Sequence, residues 1–135
     1  MDMQGKKILI IDDHPIMHRE LEKVLAKEGF QFTGAFEAMG GLRKAKEESP
    51  DLILLDVMLP EYDGKQVVRS LKSDPETKDI PIIFMTVTLS KKDDVFDKTI
   101  EVEGVAYPAF PKPLNYPKVI GLMKELISAR EKPIA

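Results

Sequence analysis

Short apolar runs alternate with amphipathic stretches along the whole chain, and this alternation constrains the fold more than any other feature. Residues 51–57 (DLILLDV) are the strongest case. A run with no polar alternation suits a strand buried on both faces, as parallel sheets require. Lys7–Ile11 (KILII) reads the same way and stops at Asp12-Asp13. Between them, Ile16, Met17, Leu21, Val24 and Leu25 recur at helical spacing over residues 15–29, with Pro15 suited to the first turn and Gly29 to the stop. Phe30–Phe36 is a more polar strand, as expected near a sheet edge. Residues 38–48 form a predicted helix with Met39, Leu42 and Ala45 inward, which Gly40-Gly41 weaken.

Further along, residues 66–73 predict a helix with Val67, Val68 and Leu71 on one face, and residues 80–87 a strand. Residues 90–103 predict a helix opened by Ser90, with Asp93 three positions on as a near capping box. Val105–Phe110 is a short strand disturbed by Pro108 and Pro111. Residues 115–130 predict a last helix with Val119, Ile120, Met123, Leu126 and Ile127 inward. Five strand–helix alternations with short connections imply right-handed crossovers and an α/β doubly wound sheet covered on both faces.

The chain has 135 residues, so one domain is expected, with its core over about residues 6–130. At 43% hydrophobic and 32% charged it reads as globular, and a net charge of −3 argues against an electrostatic grip on nucleic acid. Without cysteine it can form neither a disulfide nor a zinc–thiolate site. Its apolar runs are far shorter than the roughly 18 residues a membrane span needs. Met1 leads into Asp2, Gln4, Lys6 and Lys7, not the apolar core of a secretory signal. The expectation is a cytoplasmic domain with no membrane contact.

In open parallel sheets, ligands bind outside the carboxyl ends of the strands. Asp12 and Asp13 follow the first strand, Asp56 ends the third, Thr86 the fourth, and Lys112-Pro113 follow the fifth. Crowded carboxylates repel unless a cation sits among them, and an all-oxygen donor set favours a hard ion such as Mg²⁺. A hydroxyl and an ammonium facing that ion suit the oxygens of a phosphoryl group.

The segments ILIIDDHPIMHRELEKVL, PDLILLDVMLPEYDG, DPETKDIPIIFMT and KPL, in this order and spacing, make the sequence resemble the receiver domain of two-component response regulators over nearly its whole length. The resemblance implies a flavodoxin-like (βα)5 fold with a five-stranded parallel sheet in the order 2-1-3-4-5, for which a chemotaxis receiver is the standard example. It implies that Asp56 accepts a phosphoryl group from a histidine kinase or a phosphotransfer protein. Mg²⁺ would be held by Asp13, Asp56 and the backbone carbonyl of Met58, with Asp12 acting mainly through a bound water. Lys112 would neutralise one phosphoryl oxygen and Thr86 would hydrogen-bond another, with the Lys112–Pro113 bond cis. Such a module phosphorylates and dephosphorylates itself and turns over no separate metabolite. It signals to a downstream target protein through its fourth helix, fifth strand and last helix, a surface through which receivers also form homodimers.

The pattern departs from the family at several points. The aromatic residue many receivers place three positions before the lysine is here Ala109, flanked by Tyr107 and Phe110, and the interval from Gly104 to Lys112 is one residue longer than usual in the family. Tyr107 is the alternative switch residue. Val87 follows Thr86 where smaller residues are common. Met58 and Thr88, at positions that tune self-hydrolysis, are neither acidic nor amides, which favours a long-lived phosphoryl state. His14 and His18 stand four apart, a metal spacing without a third ligand, and read as a partly solvated helix start. Met17, Met39, Met85 and Met123 read as core. Two competing readings stay open here. One is a pseudo-receiver scaffold that is never phosphorylated. The other is a phosphohydrolase with an aspartyl nucleophile, although such enzymes usually carry an acid where Met58 stands.

Overall fold

The structure is a computed structural model, and it describes residues 3–87 and 99–131. Strands β1 (Lys7–Ile11), β2 (Gln31–Ala35), β3 (Leu52–Asp56), β4 (Ile82–Thr86), β5 (Thr99–Val102) and β6 (Val105–Pro111) form one sheet in the order β2-β1-β3-β4-β6-β5. Helices α1 (Pro15–Lys27), α2 (Ala38–Glu48), α3 (Gly64–Lys72) and α4 (Tyr116–Glu131) cover it. Every pairing is parallel except β5 with β6.

Side chains alternate across a strand, and here that alternation divides the core into two layers. Leu9, Ile11, Ile53, Leu55, Ile82 and Phe84 join Ala45 of α2 and Val67, Val68 and Leu71 of α3 on one face. Ile8, Ile10, Leu52, Leu54, Ile83 and Met85 join Met17, Leu21 and Leu25 of α1 and Val119, Met123 and Ile127 of α4 on the other. All five residues of β3 and all five of β4 are buried, which is why those runs carry no polar alternation. The edge strand β2 is half exposed, in keeping with its polar sequence.

The doubly wound core is as expected, but among the described residues the sheet has six strands, not five. Residues 88–98, and with them most of the predicted helix 90–103, lie outside the described residues. Its last part, Thr99–Val102, is a strand instead, joined to β6 by the two-residue turn Glu103-Gly104. Both turn residues have positive φ (50° and 83°), the pattern of a tight hairpin whose twist matches that of its strands. The surface expected from a fourth helix is therefore occupied, over residues 99–102, by an antiparallel edge strand. Strand β6 is also longer and more regular than its prolines suggested. Pro108 stands opposite Thr99, before the β4 ladder begins at Ala109, and Pro111 closes that ladder opposite Thr86. Prolines at ladder ends leave no central hydrogen bond unmade.

Two apolar side chains expected inside point outward. Met39 is 59% exposed and Ile16 67%. In α2 the sheet-facing positions are Ala38, Gly41 and Ala45. A Cβ on Gly41 would lie 2.5 Å from Cδ1 of Ile11, so the helix seats on β1 through a glycine, and Met39 turns away.

Candidate functional site

The carboxyl ends of β1, β3, β4 and β6 bring Asp12, Asp56, Thr86 and Lys112 to one rim. Parallel register sets this directly: Ile11 pairs with Leu55, Asp56 with Met85, and Thr86 with Pro111. The backbone N–H of Lys112 donates to the carbonyl of Thr86 at 3.0 Å, and the Lys112–Pro113 bond is cis, as the resemblance implied. Asp12, Asp56 and Thr86 are buried.

The Lys112 ammonium bridges the two buried acids, 2.6 Å from Oδ2 of Asp12 and 3.1 Å from Oδ2 of Asp56. The other oxygen of Asp56 accepts the backbone N–H of Met58 at 3.0 Å. Oδ1 of Asp12 accepts the backbone N–H of His14 at 2.9 Å, with the ring Nδ1 3.0 Å away. Asp13 differs: its Oδ1 is buried and receives no hydrogen bond, although His14 Nδ1 lies 3.1 Å from it. An anionic oxygen shielded from water and left without a donor is costly unless a cation completes it. Carboxylate oxygens of Asp12, Asp13 and Asp56 and a ring nitrogen of His14 all lie within 4.8 Å of one another. This donor set fits a divalent cation.

Burial raises the pKa of Asp56, outweighing the Met58 N–H and the Lys112 charge that lower it, and the charge of Asp12 adds to the rise. Burial works against the charge of Lys112, but the hydrogen bond and charge of Asp12, with those of Asp56, outweigh it and hold its pKa above the ordinary lysine value. A carboxyl that protonates more readily folded than unfolded holds extra proton in the native state. Its ionisation therefore costs stability as the pH rises from its unfolded pKa through its folded one. In Mg²⁺-free buffer near neutral pH, Asp56→Asn is expected to melt above the wild type, by about 4 °C for each kcal/mol of relief. The gap closes as the pH falls into the carboxylate range. Melting curves of both proteins across that range check the sign; an equal or lower melting point for the variant at neutral pH contradicts it.

His18 is not the partly solvated residue that its place near the helix start suggests. Its ring is buried, its Nε2 donates to the Asp12 backbone carbonyl at 2.7 Å, and Phe36 packs on it at a centroid distance of 4.3 Å. It braces the end of β1 from α1 and does not join His14 in the donor cluster. His14, as expected, begins α1 largely in water, but its ring reaches both neighbouring carboxylates. The side chain of Met58 is 56% exposed and that of Val87 69%, so neither lies in the core; Thr88 is outside the described residues. Ala109 is buried, and so is Tyr107, two residues back on the same face of β6. The Tyr107 ring stands edge-on to Phe84 at 6.1 Å, with the Lys72 ammonium 5.7 Å from its centroid.

Fold and site together define a class: a doubly wound sheet whose strand tips gather acids and a lysine in an arrangement suited to a divalent ion and a phosphoryl group. Residues 8–121 match the family model of the response regulator receiver domain, and the chain belongs to that family. It is 33% identical over 127 residues to the alkaline phosphatase synthesis transcriptional regulatory protein PhoP of Bacillus subtilis, covering 94% of this chain and 50% of the relative. It is 37% identical over 92 residues to the protein PilH of Pseudomonas aeruginosa, covering 68% and 76%. A solved signal receiver domain of a signal transduction histidine kinase from Syntrophus aciditrophicus superposes with a TM-score of 0.80 at 28% identity, covering 97% and 96%. The chain thus spans about half the length of the PhoP relative. Among the described residues, no helix is long and apolar enough to cross a membrane.

Proposed function

We propose that residues 6–130 act as one receiver in which Asp56 accepts a phosphoryl group from a histidine kinase or a phosphotransfer protein, and that the phosphorylated form signals through protein contacts. An Asp56 oxygen attacks phosphorus as the phosphorus–nitrogen bond of the donor phosphohistidine breaks, and the departing imidazole takes up a proton. The observation that carries this reading is the Lys112 ammonium set between Asp12 and Asp56 while an oxygen of Asp13 stands buried without a donor.

Asp13, Asp56 and the Met58 carbonyl would hold Mg²⁺, with Asp12 reaching it through water. The ion would supply charge neutralisation for the oxygens in transfer. Lys112 neutralises one phosphoryl oxygen, and the Thr86 hydroxyl binds another once the acyl phosphate exists. Its position one residue past the Asp56–Met85 pairing supports that role. Asp56 must be ionised to act as nucleophile; Lys112 and the Met58 N–H favour that state against the burial that opposes it.

The test is a titration with Mg²⁺ and beryllofluoride, a phosphoryl mimic, followed by the amide resonances of residues 56–58, 86 and 112. Saturable shifts confined to this rim, lost in Asp56→Asn, are expected. No shift in the wild type supports a scaffold that is never phosphorylated. With the phosphorylated protein in hand, decay in Mg²⁺ reports self-hydrolysis. Met58 has no group to orient water, so decay is slow, and a Met58→Asn variant that decays no faster removes that explanation.

A further inference from the structure

His14 is the unusual member of the rim. A ring nitrogen offers a single in-plane hydrogen or lone pair, yet Nδ1 of His14 lies 3.0 Å from Oδ1 of Asp12 and 3.1 Å from Oδ1 of Asp13. One hydrogen cannot serve both oxygens. Oδ1 of Asp12 already has the His14 backbone N–H, and Oδ1 of Asp13 has no hydrogen bond. Lys112 does not fill this gap, because it engages the Oδ2 atoms of Asp12 and Asp56. Two atoms bound at right angles to one ion with bonds of about 2.1 Å stand about 3.0 Å apart. The nitrogen and Oδ1 of Asp13, 3.1 Å apart, stand at about that spacing.

We propose that His14 gives a nitrogen ligand to the divalent ion of this cup, so that the site favours Mn²⁺ and Ni²⁺ over Mg²⁺ more strongly than an all-oxygen cup does. The inference rests on the reading that the cup holds a divalent ion. Imidazole raises affinity along the series from Mn²⁺ to Ni²⁺, whereas Mg²⁺ gains little from exchanging oxygen for nitrogen. The side chain of His14 is 64% exposed and its Nδ1 already faces both carboxylates, while its backbone is tied to Asp12 and to the start of α1. The chain has two histidines, and His18 is committed to the Asp12 carbonyl. A nitrogen signal from imidazole at the ion therefore has one source.

The experiment uses the chain free of any polyhistidine tag. Calorimetric titrations with Mg²⁺, Mn²⁺ and Ni²⁺ are run on the wild type, His14→Phe and Asp13→Asn, and pulsed EPR is recorded on the Mn²⁺ forms. His14→Phe is expected to lower Ni²⁺ affinity by about tenfold or more while Mg²⁺ affinity changes by less than about threefold. The imidazole nitrogen coupling seen in the wild type is expected to vanish in that variant. Parallel losses for all three ions, or no imidazole coupling in the wild type, overturn the role of His14. Asp13→Asn is expected to weaken every ion. If the wild type binds none of them, the divalent-ion reading falls together with this one; if Mg²⁺ binds through Asp13 without a nitrogen signature, only His14 is removed.

Discussion

Lys112→Met is expected to lose about 3 kcal/mol of stability in Mg²⁺-free buffer near neutral pH, a size typical of leaving one side of a buried ion pair uncompensated. The methionine keeps the length and apolar stem of the lysine but removes the charge that lies 2.6 Å from Asp12 and 3.1 Å from Asp56. Those two carboxylates are buried, and without the ammonium nothing in the described structure neutralises both. Proton uptake by one of them limits the loss. Two further results separate charge from packing. Added Mg²⁺ narrows the deficit, because a cation again stands by the acids, and Asp12→Asn in the Lys112→Met background recovers part of it. Denaturant melts of the three proteins, with and without Mg²⁺, measure this, and a Lys112→Met chain within about 0.5 kcal/mol of the wild type without Mg²⁺ would show that the ammonium is not engaged.

Phe84→Ala is expected to cost about 3–5 kcal/mol, the range for emptying a large aromatic site in a packed core. Phe84 is wholly buried at the centre of β4 and shares one core layer with Ile53, Leu55, Val67 and Tyr107. Truncation leaves a void between α3 and β6 that these neighbours cannot fill without moving the sheet, and it removes the edge-on partner of Tyr107. A fall of that size takes a large part of the stability of an ordinary domain. The denaturation midpoint should fall with an unchanged slope. A loss under about 1 kcal/mol would mean that the layer repacks and that Tyr107 is not held by Phe84.

The sequence made the strands and the rim legible because both follow from periodicity and strand polarity. Residues 52–56 and 82–86 lie between helices on both faces, so their apolar runs have no other use. Once those strands are parallel, their last residues must share an edge, and Asp12, Asp56, Thr86 and Lys112 meet there. The hairpin is hidden in the sequence for a local reason. Glu103-Gly104 is a tight-turn signal flanked by Val102 and Val105, but the apolar residues before it also fit a helical period. Met39 fits an inward position by hydrophobicity alone, but the close approach of α2 to β1 admits only small residues at Ala38, Gly41 and Ala45. The brace from His18 to the Asp12 carbonyl could not be read from spacing, since it depends on the ring turning toward backbone that no motif marks.

The central claim, that Asp56 at the tip of β3 is a metal-dependent phosphoacceptor, is tested most directly by incubating the chain with Mg²⁺ and a small-molecule phosphodonor and locating any added phosphoryl group by mass. The account predicts one group per chain, carried on Asp56, dependent on Mg²⁺ and absent from Asp56→Asn. Labelling elsewhere, labelling that survives the substitution, or no labelling of a folded chain that binds Mg²⁺ would contradict it.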